Sequence, residues 1–257
     1  MPNQSVSEMK HILRRHYHAL IFSVLTVALL QTGCGRVINR TVERHIREAL
    51  PRLLGPARQY HVHVDGSPLN TVQGKLSDVT VDGDDVQFAN GLLMDHLRLD
   101  LRGIDYDTGR GKLKRIDSAR FAATIGQKSL DVFIAGEAPP SETLRHIDVI
   151  LSGNNSVTIR GQRVTFGLNV PFELSGPVRV VGPKRVELDA TRLKVIGIPI
   201  SGVVLKYLKS RFENGIDLSS LPFPIQLTGV STEPGNITIS GAADVAALMD
   251  HLNGPHP

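Results

Sequence analysis

Few side chains in this sequence have types and spacings that could do chemistry. Its one cysteine, Cys34, stands in "ALLQTGCGRV", behind an aliphatic run. His61 and His63 in "YHVHVDG" lie two apart, so on a strand they face the same way, as metal ligands must. No third ligand is identifiable, however, and alternation against Val62 and Val64 already accounts for both as a wet face. Asp105 and Asp107 in "IDYDTGRG" have the spacing of a calcium loop, but Gly109 stands at its third position and no Glu closes it. That segment, like "VDGDD" (Val81 to Asp85), reads as a turn between strands. Serines beside glycine occur in "ISGVV", "LSGNN" and "ISGAA", and none forms the nucleophile elbow Gly-x-Ser-x-Gly. The sequence therefore predicts no catalytic residue, no metal site and no cofactor.

Cys34 is explained by what precedes it. Lys10, Arg14 and Arg15 make a positive start, and "ALIFSVLTVALL" (Ala19 to Leu30) is an apolar run. At about 1.5 Å per helical residue that run reaches roughly 18 Å, short of the ~30 Å hydrocarbon core, so it suits an export signal better than a membrane span. Leu29, Leu30, Thr32, Gly33 and Cys34 resemble the box of bacterial lipoprotein signals, whose cysteine takes a diacylglycerol; Gln31 departs from it. Ordinary cleavage nearby is the other reading, but an unpaired thiol in an exported protein favours the anchor. Of the formal net charge of +4, half belongs to this leader. The chain has no Trp and no basic block interleaved with aromatics, which excludes nucleic acid as a partner.

The elements that must position any site follow from periodicity. In "GRVINRTVERHIREAL", Ile38, Val42, Ile46, Ala49 and Leu50 recur at helical spacing, and Pro51 is expected to end or kink that helix. From Tyr60 the period becomes two. "HLRLDLRGI" sets Leu97, Leu99 and Leu101 against Arg98, Asp100 and Arg102, and "VTFGLNVPFEL" reads as one alternating strand from Val164 to Leu174. "RVELDA" and "NITIS" alternate alike, and "ANG", "SGNNS", "RGQR" and "VGPK" punctuate the runs. Such spacing predicts an antiparallel meander with one apolar face. A change of parity within "VELDATRLKVIGIPI" predicts a bulge or bend. "GQKSLDVFIAG" is expected to form a short helix, and "SGVVLKYLKSRFENG" a second amphipathic one, capped by Ser201 and ended at Asn214-Gly215. "LPFPIQLTGV" and "GNITISG" read as a closing hairpin, and "GEAPPSE" as an internal boundary. The tail "ADVAALMDHLNGPHP" can form one short helix or fray. The divisions are a leader at 1–33, a helix at 34–56, an α+β domain at 57–245 and a tail at 246–257. Periodicity does not distinguish apolar side chains that touch one another from ones that line a cavity.

The runs "YHVHVDGSPLNTVQGKLSDVTVDGDDVQFANGLLMDHLRLDLRGIDYD" and "GKLKRIDSARFAATIGQKSLDVFI" resemble the first half of the LmeA-like lipid-binding proteins of the bacterial envelope. "VELDATRLKVIGIPISGVVLKYL" and "IDLSSLPFPIQLTGVSTEPGNITISGAA" resemble the second, notably through "LSSLPFPIQL". The resemblance spans roughly residues 37 to 245 and includes no catalytic signature. It implies a long curved antiparallel sheet wrapped around helices, similar to tubular lipid-binding folds. It also implies an apolar tunnel for phospholipid or a related envelope lipid, and an exported protein without enzymatic activity. Residues expected to line that tunnel are Leu97, Leu99, Leu101, Phe121, Ile125, Phe166, Ile198, Val204, Leu208 and Phe212. A lipidated Cys34 would hold the carrier at a membrane of the periplasm or envelope. Two other readings remain: a scaffolding module with a fully packed core, and a hydrolase or transferase using carboxylates such as Asp105 or Asp107.

Overall fold

The structure, a computed structural model, describes residues 34–88, 91–107, 112–136, 144–165, 168–195, 215–219 and 224–253. Helix α1 (Cys34–Leu53) carries Val42, Ile46 and Leu50 at four-residue spacing against the core, while Ala49 is exposed. Pro51 does not end it: the helix runs on to Leu53, and the Leu54 N–H donates to Leu50 O at 2.8 Å. A proline in the last turn forfeits one bond, to Arg47 O, and Arg47 lies on the solvent side.

Strand β1 (Gln59–Asp65) leads to the five-residue helix α2 (Pro68–Val72), where Ser67 Oγ accepts from the Asn70 N–H at 3.3 Å. Then come β2 (Lys75–Gln87), β3 (Leu93–Asp107), β4 (Lys112–Arg115) and β5 (Ser118–Gly126). Helix α3 (Gln127–Gly136) interrupts the strands before β6 (Leu144–Ser152), β7 (Ser156–Thr165) and β8 (Leu168–Val181). Short strands β9 (Arg185–Leu188), β10 (Arg192–Val195) and β11 (Ile216–Asp217) precede the closing hairpin of β12 (Ile225–Glu233) and β13 (Asn236–Ala243). Helix α4 (Val245–Asn253) follows.

The fold is α+β, built on curled antiparallel sheet in two panels. The first has the order β1-β2-β3-β5-β13-β12, with β4 also on β3; the second has β11-β9-β8-β7-β6, with β10 also on β8. One row of paired residues crosses the whole first panel: Val62, Val81, Leu99, Phe121, Gly241 and Leu227. On its outer face opposite charges meet in register, Asp78 with Arg102 (3.2 Å) and Asp82 with Arg98 (3.7 Å). A one-residue slip would place these charges in the core, so the pattern fixes the register. Strand β12 joins the panels: the Leu227 N–H donates to Pro183 O at 2.7 Å, and the Thr232 N–H to Asn155 Oδ1 at 3.1 Å. A single apolar core runs through both.

Four local expectations need comment. "VTFGLNVPFEL" is not one strand; the chain reverses between Thr165 and Leu168, which face each other across the β7–β8 pair. "VDGDD" and "RGQR" are not turns but lie inside β2 and β7. Their glycines make room for rings rather than for reversals. A Cβ on Gly83 would stand 2.8 Å from the ring of Tyr60, and one on Gly161 would stand 2.8 Å from that of Phe172. The parity change after Leu188 is a bulge, as expected. Between the Val178–Leu188 and Ser175–Arg192 pairs, β8 supplies two residues and the opposing chain three. The expected helix at 201–215 and the boundary at 136–142 lie outside the described residues, Gly215 and Gly136 apart.

Candidate functional site

Helix α1 runs antiparallel to β1 and is fixed at both ends. Near its start, Asn39 Nδ2 donates to Val64 O and Gly66 O, each at 3.3 Å, and Glu43 Oε1 accepts from the Val64 N–H at 3.0 Å. Past its end, the Tyr60 hydroxyl donates to Gly55 O at 2.8 Å, and the Gln87 N–H to Pro56 O at 2.9 Å. Gly55 has φ +113°, and a Cβ there would collide with Gln87 O, so only glycine lets the chain leave the helix this close to β2.

Between the held helix and the sheet the described side chains do not fill the space. A cavity of about 210 Å³ remains. One wall is α1, through Ile46, Leu50 and Leu53, with Leu54 just past its end. The floor is the first panel, through Val81, Leu99, Leu101, Ala119 and Phe121, and Leu248 of α4 closes a side. Leu99 and Leu101 pack against the core yet are only half-buried, because they border this cavity. Leu53 is 47% exposed, so the slot opens to solvent at the end of α1. Apart from Arg120, the described lining carries no ionisable side chain.

Of the residues expected to line a tunnel, Leu99, Leu101 and Phe121 border this cavity. Leu97 and Ile125 do not: they share the inward face but are 2% and 0% exposed, packed into solid core. Phe166, Ile198, Val204, Leu208 and Phe212 lie outside the described residues. Cys34 is the first residue of α1. The α1 wall was legible as a helical stripe. Ala119 and Ala243, which also line the cavity, leave no apolar periodicity to find; their contribution is the volume they do not occupy.

The carboxylates most strongly hydrogen-bonded lie elsewhere. Hydrogen bonds from Gln59 and His96 hold Asp84 below the usual carboxylate range, and those from Arg160 and Lys194 do the same for Glu173. Glu173 lies in a second, polar cavity of about 310 Å³ on the other panel, already bonded to Arg160 at 3.0 Å and Lys194 at 3.1 Å. His61 is exposed, and His63 stands 3.6 Å from Glu43. Asp105 and Asp107 are not in a turn but on the last residues of β3, opposite Arg115 and Lys112. Among the described residues, no group of three or more His, Cys, Asp or Glu could hold a metal ion, and no helix is long and apolar enough to cross a membrane.

An apolar slot without ionic machinery suits a hydrocarbon ligand, and the comparison with protein families agrees. No curated protein and no solved structure matched the chain. The family described as "LmeA-like phospholipid-binding" matches residues 32–242, most of the sequence, and the chain belongs to that family.

Proposed function

We propose that this is an exported, non-enzymatic carrier that holds a phospholipid acyl chain in the slot beneath α1. Cys34 takes a lipid anchor that keeps it at an envelope membrane. The observation behind this reading is the cavity of about 210 Å³ with its almost wholly apolar lining. At roughly 30 Å³ per water-sized group it takes on the order of seven methylenes. At about 0.8 kcal/mol each, that burial contributes roughly 6 kcal/mol before ordering costs, a reversible hold that needs no covalent step. Membership of a phospholipid-binding family supports the ligand class.

The test is mass spectrometry of lipid co-purified with the full chain from membranes in mild detergent. A stoichiometric phospholipid is expected. An empty protein that also fails to take up added phospholipid would favour the scaffolding reading. Cys34→Ser is expected to make the membrane-held protein extractable by high salt without reducing its lipid uptake.

A further inference from the structure

Helix α2 is short, capped by Ser67 and oddly apolar on its outside. Leu69 is 78% exposed and Val72 60% exposed. They are three apart, so they share one face of the helix. Tyr106, 41% exposed, is brought beside them, because its N–H donates to Gly74 O at 2.8 Å just past the helix. Three large apolar side chains thus project from one end of the first panel.

The same end holds the start of α1. Asn39 bonds to Gly66 O, immediately before α2, and Cys34 lies five residues further along the helix, about 7.5 Å at 1.5 Å per residue. Cations lie at the same end. Arg40, Lys75 and Lys112 are exposed and form no ion pair among the described residues. The carboxylates Asp78 and Asp107 are already within 3.2 Å of Arg102 and 3.4 Å of Lys114, which leaves Asp65 and Asp105 against these three cations. An apolar tip flanked by cations that form no ion pair among the described residues complements an anionic bilayer, whose interior takes the side chains and whose headgroups take the charges. A protein partner would have to match the tip in shape; a membrane need not.

We infer that α2 and the β3–β4 end form a membrane-docking surface, with Leu69, Val72 and Tyr106 entering an anionic phospholipid bilayer. The surface stands apart from the slot and does not depend on what the slot binds. It sets which end of the molecule faces the membrane when the chain is held there.

The test uses the full chain with Cys34→Ser, so that an added cysteine is the one thiol available for an environment-sensitive fluorophore. Probes are placed by Leu69→Cys, Val72→Cys and, on the exposed far side, Val132→Cys (Val132 is 68% exposed). With vesicles of phosphatidylglycerol and phosphatidylcholine, the probes at 69 and 72 are expected to shift to the blue and to be quenched by nitroxide-labelled lipid. The probe at 132 is expected to stay in water. A probe at Tyr106→Cys should lose its blue shift when Leu69→Glu and Val72→Glu are added, with the melting temperature unchanged. Probes at 69 and 72 that stay in water, or that shift no more than the one at 132, would overturn the inference. Lipid uptake by the same Glu variant separates this failure from failure of the carrier reading.

Discussion

At the scale of single residues, glycines beneath rings shape the sheet. Gly83 lies opposite Tyr60, Gly241 opposite Phe121 and Gly161 opposite Phe172, each a directly paired couple. A glycine in a strand costs backbone entropy, but here the neighbouring ring covers it and the strand can bend. A Cβ on Gly241 would stand 2.5 Å from Phe121 and 2.6 Å from Gln226 O, whereas one on Gly153 would meet nothing within 4 Å. Gly241→Ala is therefore expected to cost about 1–3 kcal/mol in urea unfolding, and Gly153→Ala close to nothing. Tyr60 adds a pH dependence. Burial pushes its phenol up to about 12 from an ordinary 10.0. The unfolded chain gives up that proton first, so stability falls as pH climbs between these two values. Tyr60→Phe should flatten that slope while costing roughly 1 kcal/mol for the lost bond to Gly55 O. Urea midpoints on either side of pH 10 measure both effects.

At the scale of elements, both panels protect an edge with a helix, and both do so with side chains four apart. Asn39 and Glu43 of α1 serve β1; Gln127 and Asp131 of α3 serve β6, accepting from the Leu151 N–H at 3.5 Å and the Val149 N–H at 2.6 Å. Residues four apart stack on one helix face, and alternate residues of a strand present their N–H groups to one edge, so the two repeats match. An edge left bare invites pairing with another chain. Asp131→Ala should cost about 1–3 kcal/mol and raise aggregation, because the Val149 N–H loses its acceptor. Asp131→Asn keeps an oxygen there. Burial raises the Asp131 carboxyl, against the bond from Val149 that lowers it. With a raised folded value, its contribution is fullest below the ordinary carboxylate range and is lost as pH rises through the folded value. The Asn variant should lack that decline, as thermal melts across the acidic range would show.

At the scale of the whole molecule, the slot exists because α1 is held clear of a floor that includes small side chains. Ala119→Leu with Ala243→Leu should fill it, reducing phospholipid uptake at least tenfold while leaving the melting temperature of the empty protein unchanged or higher. A lipid that binds only the folded state at a hundred times its Kd adds about 2.7 kcal/mol, so the wild-type chain should melt higher with lipid and the filled variant should not. If both variants shift alike, the hydrocarbon sits elsewhere. Much of this was open to reading from residue order. The alternation of Leu97, Leu99 and Leu101, the stripe of α1 and the closing hairpin are local patterns, set by side-chain period and turn chemistry. Glycines were misread in "VDGDD" and "RGQR", because a glycine that makes a turn and one that admits a ring look the same until the cross-strand partner is known. The residue string thus determined which faces are apolar and which elements bear them. Only the tertiary structure decided where that apolar surface closes into solid core, as at Leu97, and where it leaves a hollow, as at Leu99. A void is the difference between the spacing of elements far apart in the chain and the volumes of the side chains set between them, and no local pattern encodes that difference.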